Sequence, residues 1–160
     1  MSKADYTMKG LFTLLSPRAF AEVAKVEIPV GWFVISHRWM PEKVGRRLLH
    51  GRWSKIKSPN GEIFRILRFS TNLEGSPSQG SGQIVLDRVG WLDLQGRAEN
   101  VDIPIQLEFI QARWWQFPKL AVAHPDPTIR LSGRLGLWSV FLGALSIILA
   151  IWALWKTYNP

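Results

Sequence analysis

Apolar positions are distributed in two ways along the chain: short groups between Met1 and Arg134, then one unbroken run from Leu135 to Trp155 without a charged residue. Near the start, Met8, Leu11, Phe12 and Leu15 recur at i, i+3, i+4 and i+7, a spacing that predicts an amphipathic helix. Its apolar stripe would pack on a core or lie in a bilayer interface. Ser16 followed by Pro17 reads as a cap and first turn, predicting a second helix over "PRAFAEVAK" that ends by Pro29. "VGWFVISHRW" is too short to span a bilayer of about 30 Å and predicts a buried strand. "PEKVGRRLLHG" predicts a short helix between Pro41 and Gly51.

A hairpin is expected where "RWSKIK" and "EIFRILRFST" flank "SPNG", with Pro59 presetting the turn and Gly61 free to take a positive φ. The Gly- and Ser-rich stretch from Asn72 to Gly82 reads as a flexible loop. "QIVLDRVGWLDLQG" reads as a strand with a bulge or a bend at Gly90. Strict alternation in "VDIPIQLEF" places Val101, Ile103, Ile105, Leu107 and Phe109 on one face of a strand, with Pro104 marking an edge or an irregular point. "ARWWQFPKLAVAH" continues it, and "PDPTIRLSG" reads as a linker.

The fold class expected from this pattern is α+β: a small β-rich domain of about five or six strands, sandwich- or barrel-like, with short N-terminal helices and one C-terminal transmembrane helix. The segments divide as an N-terminal amphipathic helical stretch (1–27), a sheet-rich domain (28–127), a juxtamembrane linker (128–134), the transmembrane helix (135–155) and a short tail (156–160).

The apolar run supports the most specific expectation. Its 21 residues make a helix of about 31 Å, close to the hydrocarbon thickness of a bilayer. Trp138 at one end and Trp152 and Trp155 at the other match the aromatic belts at headgroup level. Arg130 and Arg134 on the N-terminal flank against Lys156 on the other favour a cytoplasmic N-terminal domain by the positive-inside bias. "GLFTLL", followed by Pro17 and Arg18, is too short for a secretory core, which points the same way and gives a tail-anchored topology. Gly136, Ser139, Gly143, Ser146, Ala150 and Ala153 follow one another at spacings of 3 and 4, a small-residue stripe of the kind that lets membrane helices approach closely.

Charge narrows the soluble part. The net charge is +8, and the 31 residues from Arg38 to Arg68 hold nine Lys or Arg against Glu42 and Glu62. Arg38, Lys43, Arg46, Arg47, Arg52, Lys55 and Lys57 are the candidate anionic-surface residues. Interleaved Trp39, Trp53 and Phe69 also suit base stacking in a nucleic-acid site. Beside a membrane, however, each near-surface charge contributes about 1 kcal/mol of attraction to an anionic leaflet. Headgroups are therefore the favoured partner, with nucleic acid or an acidic protein as the alternative and a merely solvated face as the plain one.

Catalytic chemistry finds little footing. Cysteine is absent, which removes disulfides, thiolate metal sites and a thiol nucleophile. His37, His50 and His124 lack metal-ligand spacing, and no G-x-S-x-G or P-loop pattern occurs. Of Asp87, Asp93, Glu99, Asp102 and Glu108, the last two share a strand face but lie about 20 Å apart, too far for joint acid-base work. Adjacent Trp114 and Trp115 would point to opposite faces of a strand, and the less covered one is a possible subunit-docking residue. The resulting expectation is a non-catalytic, single-pass subunit or adaptor of a larger membrane complex. Its partners would be the membrane and other transmembrane subunits, and no cofactor or metal is assigned to it, bound lipid or pigment in the assembled complex being left open. The alternative is a membrane-tethered module recruiting nucleic acid or an acidic protein.

Overall fold

The computed structural model describes residues 6–96, 103–116, 119–120 and 124–158. Residues 1–114 and 115–160 form two units.

In the first unit the N-terminal stripe is strand β1 (Thr7–Leu15), which corrects the expectation of a helix. Met8 and Phe12 fit both periodicities, being separated by one helical turn and by two strand repeats. The intervening residues decide it: Leu11 is 48% exposed, whereas Phe12 is fully buried. What selects the strand is pairing on both sides. β1 runs antiparallel to β7 (Ile105–Gln111) and parallel to β6 (Ser81–Val85), so its backbone groups are satisfied by neighbours a free helix would lack. Among the described residues, the helical segment expected over 1–27 therefore keeps only α1 (Pro17–Ala24), which opens as anticipated with the Ser16 hydroxyl accepting from the Ala19 N–H.

β2 (Trp32–Ser36), α2 (Lys43–Leu49), β3 (Trp53–Lys57) and β4 (Glu62–Ser70) follow the expected order, and β3 and β4 form the hairpin, with Lys57 opposite Glu62. Gly61 is not at positive φ. Its need for glycine is steric, since a Cβ there would sit 2.7 Å from the Asp93 carbonyl oxygen.

The stretch read as a flexible loop contains β5 (Gly75–Ser76) and a 3-10 turn (Pro77–Gln79), and it runs directly into β6. Gly75 takes φ +106°, and a side chain there would collide with Gly82 on the paired strand. "QIVLDRVGWLDLQG" divides into β6 and helix α3 (Arg88–Gln95). Asp87 makes the division: its carboxylate caps the helix by accepting from the Gly90 N–H. Gly90 thus lies within a helix rather than at a bulge.

The strands join in the order β1-β7-β3-β4-β2-β6, and β6 pairs back onto β1, closing a six-stranded barrel with β5 appended to β6. Two pairs, β1–β6 and β2–β4, are parallel and the rest antiparallel. Closure removes the open edges that would otherwise invite aggregation. Ile105, Leu107 and Phe109 face the core as predicted, while Ile103 is exposed and Pro104 immediately precedes β7. Val101, Asp102 and Glu99 lie outside the described residues.

Aromatic rings fill the barrel. Phe33 stacks on Phe109 at 5.4 Å, and Phe12 meets Phe109 edge-on at 5.0 Å and Trp39 at 4.8 Å. Trp39 lies against the bare backbones of Gly10 and Gly82, where a Cβ would strike its indole. On the outer surface, Phe20 of α1 packs with Val34, Leu73 and Val85 in a second cluster.

In the second unit the expected linker at "PDPTIRLSG" is already helical. Helix α4 runs from Pro127 to Tyr158. The Asp126 carboxylate accepts from the Thr128 N–H at 2.8 Å and Pro127 occupies the first turn, the cap-and-proline pairing that starts helices. Trp114 and Trp115 belong to a 3-10 turn (Trp114–Gln116) rather than a strand, so strand alternation does not set them on opposite faces.

Candidate functional site

α4 has 32 residues and is about 48 Å long at 1.5 Å per residue, more than the hydrocarbon slab requires. The surplus is the stretch from Pro127 to Arg134, which carries Arg130 and Arg134, and the last three residues from Lys156, leaving Leu135–Trp155 as the apolar length. Mean hydropathy in the most apolar window is 2.3 and none of that window is buried in the protein. Leu142, Ile147 and Ile151 are more than half exposed. So continuous an apolar surface calls for a non-aqueous environment, and α4 is a candidate membrane span.

Its polar groups are arranged to suit that environment. The Ser139 hydroxyl donates to the Leu135 carbonyl at 3.1 Å and the Ser146 hydroxyl to the Leu142 carbonyl at 2.9 Å. Both donors are thus satisfied within the helix, sparing the several kcal/mol that an unpaired group in hydrocarbon would cost. A Cβ added at Gly136 or Gly143 would meet no heavy atom within 4 Å, which leaves two open notches on the small-residue stripe. Near the ends, Trp138 meets Phe141 edge-on at 6.0 Å, and the Lys156 ammonium sits 5.6 Å from the Trp152 ring.

The basic block of the barrel separates into three environments. Arg65 is buried on β4, between Ile63 and Leu67, and pairs with Asp87: Nε to Oδ1 at 2.9 Å and Nη2 to Oδ2 at 3.2 Å. Its Nη1 donates to the Phe64 carbonyl. Burial pushes the Asp87 carboxyl up, but the Arg65 hydrogen bond and charge, with the Gly90 N–H, more than offset this and hold it below its ordinary value of 3.8. This pair joins α3 to β4 and has no free charge to offer a ligand.

Lys55 and Lys57 lie on β3 in a mixed-charge field. Lys55 pairs with Glu62 and lies over the Phe64 ring. Lys57 stands opposite Glu62 on one side and Glu108 on the other, and Glu108 in turn faces Lys9. The third environment is the turn-and-helix segment: Arg38, Lys43, Arg47 and Arg52 are exposed and Arg46 half-buried. Among the described residues none of these five has a carboxylate partner within ion-pair distance. The seven candidate headgroup residues therefore do not form one patch. Five lie on α2 or within a few residues of it in the chain, with no carboxylate at ion-pair distance among the described residues, and two sit among glutamates.

Each histidine has its own local contact. The His37 Nδ1 is 3.3 Å from the Ser70 carbonyl, His50 meets the Trp32 ring at 6.4 Å, and the His124 Nδ1 accepts from the Asp126 N–H. Among the described residues no three His, Asp or Glu side chains gather as a metal group. A groove of about 370 Å³ beside β1 and β6 is lined by Thr13, Glu74, Gln79, Ser81 and Gln83 among others. Its lining holds one carboxylate and no histidine, so it carries no acid-base pair. Trp115 is 54% exposed, and the side chain of Trp114 lies outside the described residues.

Sequence reasoning missed the Arg65–Asp87 pair, whose members are 22 residues apart. Two signals were present: an arginine at an alternate position between apolar Ile63 and Leu67, and an aspartate three residues before a glycine in "DRVG".

No known protein family matches the chain, and no curated protein does. Among solved structures, the apo form of an expansin from Clavibacter michiganensis aligns over 68% of this chain and 52% of its own, at 14% identity and a TM-score of 0.42. This chain thus spans about half the length of that protein, and at such a score nothing of the expansin is carried over to it.

Proposed function

We propose that the protein is a non-catalytic subunit or adaptor of a larger membrane complex, anchored by α4, with its barrel on the cytoplasmic side. The observation that carries this reading is α4 itself: an exposed apolar helix whose serines are satisfied internally and whose Gly136 and Gly143 leave open notches. A stripe without protruding donors packs by close backbone approach rather than by hydrogen bonds to its partner. Because Gly136, Gly143 and Ala150 recur every seven residues, a partner helix would follow them with a left-handed crossing of about 20°. The positive-inside bias of Arg130 and Arg134 over Lys156 supports the orientation.

The test is Gly143→Leu with Ser146→Leu, which keeps hydrophobicity and fills the notch. Membrane insertion should persist, while recovery of co-purifying membrane proteins in mild detergent should collapse. Unchanged recovery, or a wild-type chain that purifies alone as a monomer, overturns the reading.

A second reading, a membrane-tethered module that recruits nucleic acid or an acidic protein, is favoured by the five cations around α2 that lack carboxylate partners. It requires the full chain in detergent to bind a polyanion with affinity falling steeply as salt rises.

A further inference from the structure

α2 has two faces of different character. Gly45 and Leu49 are buried and hold the helix on the barrel. A side chain at Gly45 would press on the Met40 sulfur at 3.0 Å, so this seat is close. On the flank beside this face, about 100° around the helix, Val44 is 69% exposed and Leu48 55%. They lie one turn apart and form a short apolar row. Lys43 and Arg47, also one turn apart and exposed, form the row beside it. Arg38 and Arg52 add exposed charge within a few residues of the helix, Arg46 lies on its other flank, and Glu42, exposed before the first turn, is the acidic group on this segment.

Apolar residues exposed next to cations have a specific physical use. In water the pair Val44 and Leu48 gains nothing from exposure, and the like charges of Lys43 and Arg47, one turn apart, repel each other. Against a bilayer with anionic lipid both costs reverse: the apolar row enters the headgroup boundary and the cations meet phosphate and carboxylate groups. A polyanion in solution would satisfy the charges and leave Val44 and Leu48 in water. Lys55 and Lys57 lack this combination, because they stand among Glu62 and Glu108.

We propose that the outer face of α2, with Val44 and Leu48 inserted and Lys43 and Arg47 at the headgroups, is a docking face for an anionic bilayer surface. The proposal rests on the reading of α4 as a membrane anchor, which brings the barrel to a membrane.

The absence of cysteine allows a single reporter at each position. Full-length protein carrying Leu48→Cys, Val23→Cys or Ile147→Cys, labelled with an environment-sensitive fluorophore, is reconstituted in phosphatidylcholine nanodiscs with or without phosphatidylserine. The label at 48 should shift to the blue and be quenched several-fold more by lipid-borne nitroxide when phosphatidylserine is present. High salt, or Lys43→Gln with Arg47→Gln, should abolish the response. The label at Val23, exposed on α1, should stay aqueous throughout. If the label at 147 lies in lipid and the label at 48 stays aqueous with phosphatidylserine, the docking face is refuted and the anchor stands. If the label at 147 is itself aqueous, the anchor fails and the proposal with it. A label at 48 that responds to an oligonucleotide but not to phosphatidylserine overturns the lipid assignment in favour of nucleic acid.

Discussion

Asp87→Ala should be among the most damaging single changes to the barrel, because it removes two functions at once. The Arg65 guanidinium is 6% exposed at its side chain and loses both of its carboxylate bonds. Leaving one member of a buried pair unpartnered costs about 3–5 kcal/mol. Asp87, at 31% side-chain exposure, already shares its charge with water, which places the loss near the lower end, about 3 kcal/mol. The Gly90 N–H also loses its cap, which adds about 1 kcal/mol. Asp87→Asn keeps a capping oxygen and sacrifices the charge, so about half the loss is expected.

The reverse change, Arg65→Met, should cost less than Asp87→Ala: the carboxylate left behind can be hydrated, whereas the stranded guanidinium cannot. Urea titration of the full chain in detergent, followed by barrel circular dichroism, measures all three. A penalty for Asp87→Ala below about 1 kcal/mol would falsify the pair's structural role, since that is less than the cap alone is worth. So would Arg65→Met proving the worse change. The pH dependence has a definite sign. The folded Asp87 pKa is depressed below 3.8, so the pair's contribution is fully present above the unfolded value and fades as pH falls through the folded one. The gap between wild type and Asp87→Asn should be constant from neutral pH to about 5 and shrink below about 4.

Gly90→Ala should destabilise the barrel by about 1–3 kcal/mol in the same titration, although alanine is the better helix former. Its Cβ would come 2.9 Å from the Arg65 Nη2 and 3.1 Å from the Ile63 Cδ1, and Asp87 pins that nitrogen in place. Phe12→Ala, at a fully buried ring touching Phe109 and Trp39, should cost about 3–5 kcal/mol; a cost under about 1 kcal/mol would mean that β1 is not part of the closed barrel. Gly143→Ala should leave the barrel's urea midpoint unchanged, because no heavy atom lies within 4 Å of the added methyl. Leu145→Asp, at the middle of the apolar run, should raise the apparent insertion free energy of α4 by about 3 kcal/mol, read from alkaline extraction of membranes, and full retention in the membrane fraction would refute the span.

Some of this was legible in the sequence because the deciding physics is local. The length of the uncharged run from Leu135 to Trp155, the Ser16–Pro17 start of α1, the "SPNG" hairpin and the alternation that buries Ile105, Leu107 and Phe109 each depend on residues close together in the chain. The errors arose where a neighbour distant in sequence made the decision. Met8 and Phe12 satisfy helix and strand spacing equally, and only pairing with β6 and β7 makes the segment a strand. Asn72 to Gly82 is rich in turn formers, yet β5 and β6 pair there because Gly75 and Gly82 allow their backbones to meet. Gly90 marked a departure from a continuing strand, but the departure is a helix capped by Asp87 and tied to β4 through Arg65. The basic block shows the same division: composition set its size, while the fold buried Arg65, placed Lys55 and Lys57 among glutamates, and left Lys43 and Arg47 on a helix beside exposed Val44 and Leu48. Sequence determines which charges and apolar groups exist and how they recur within a turn or a strand repeat. Which of them face one another across the barrel, and so cancel or remain available, is decided by contacts between segments dozens of residues apart.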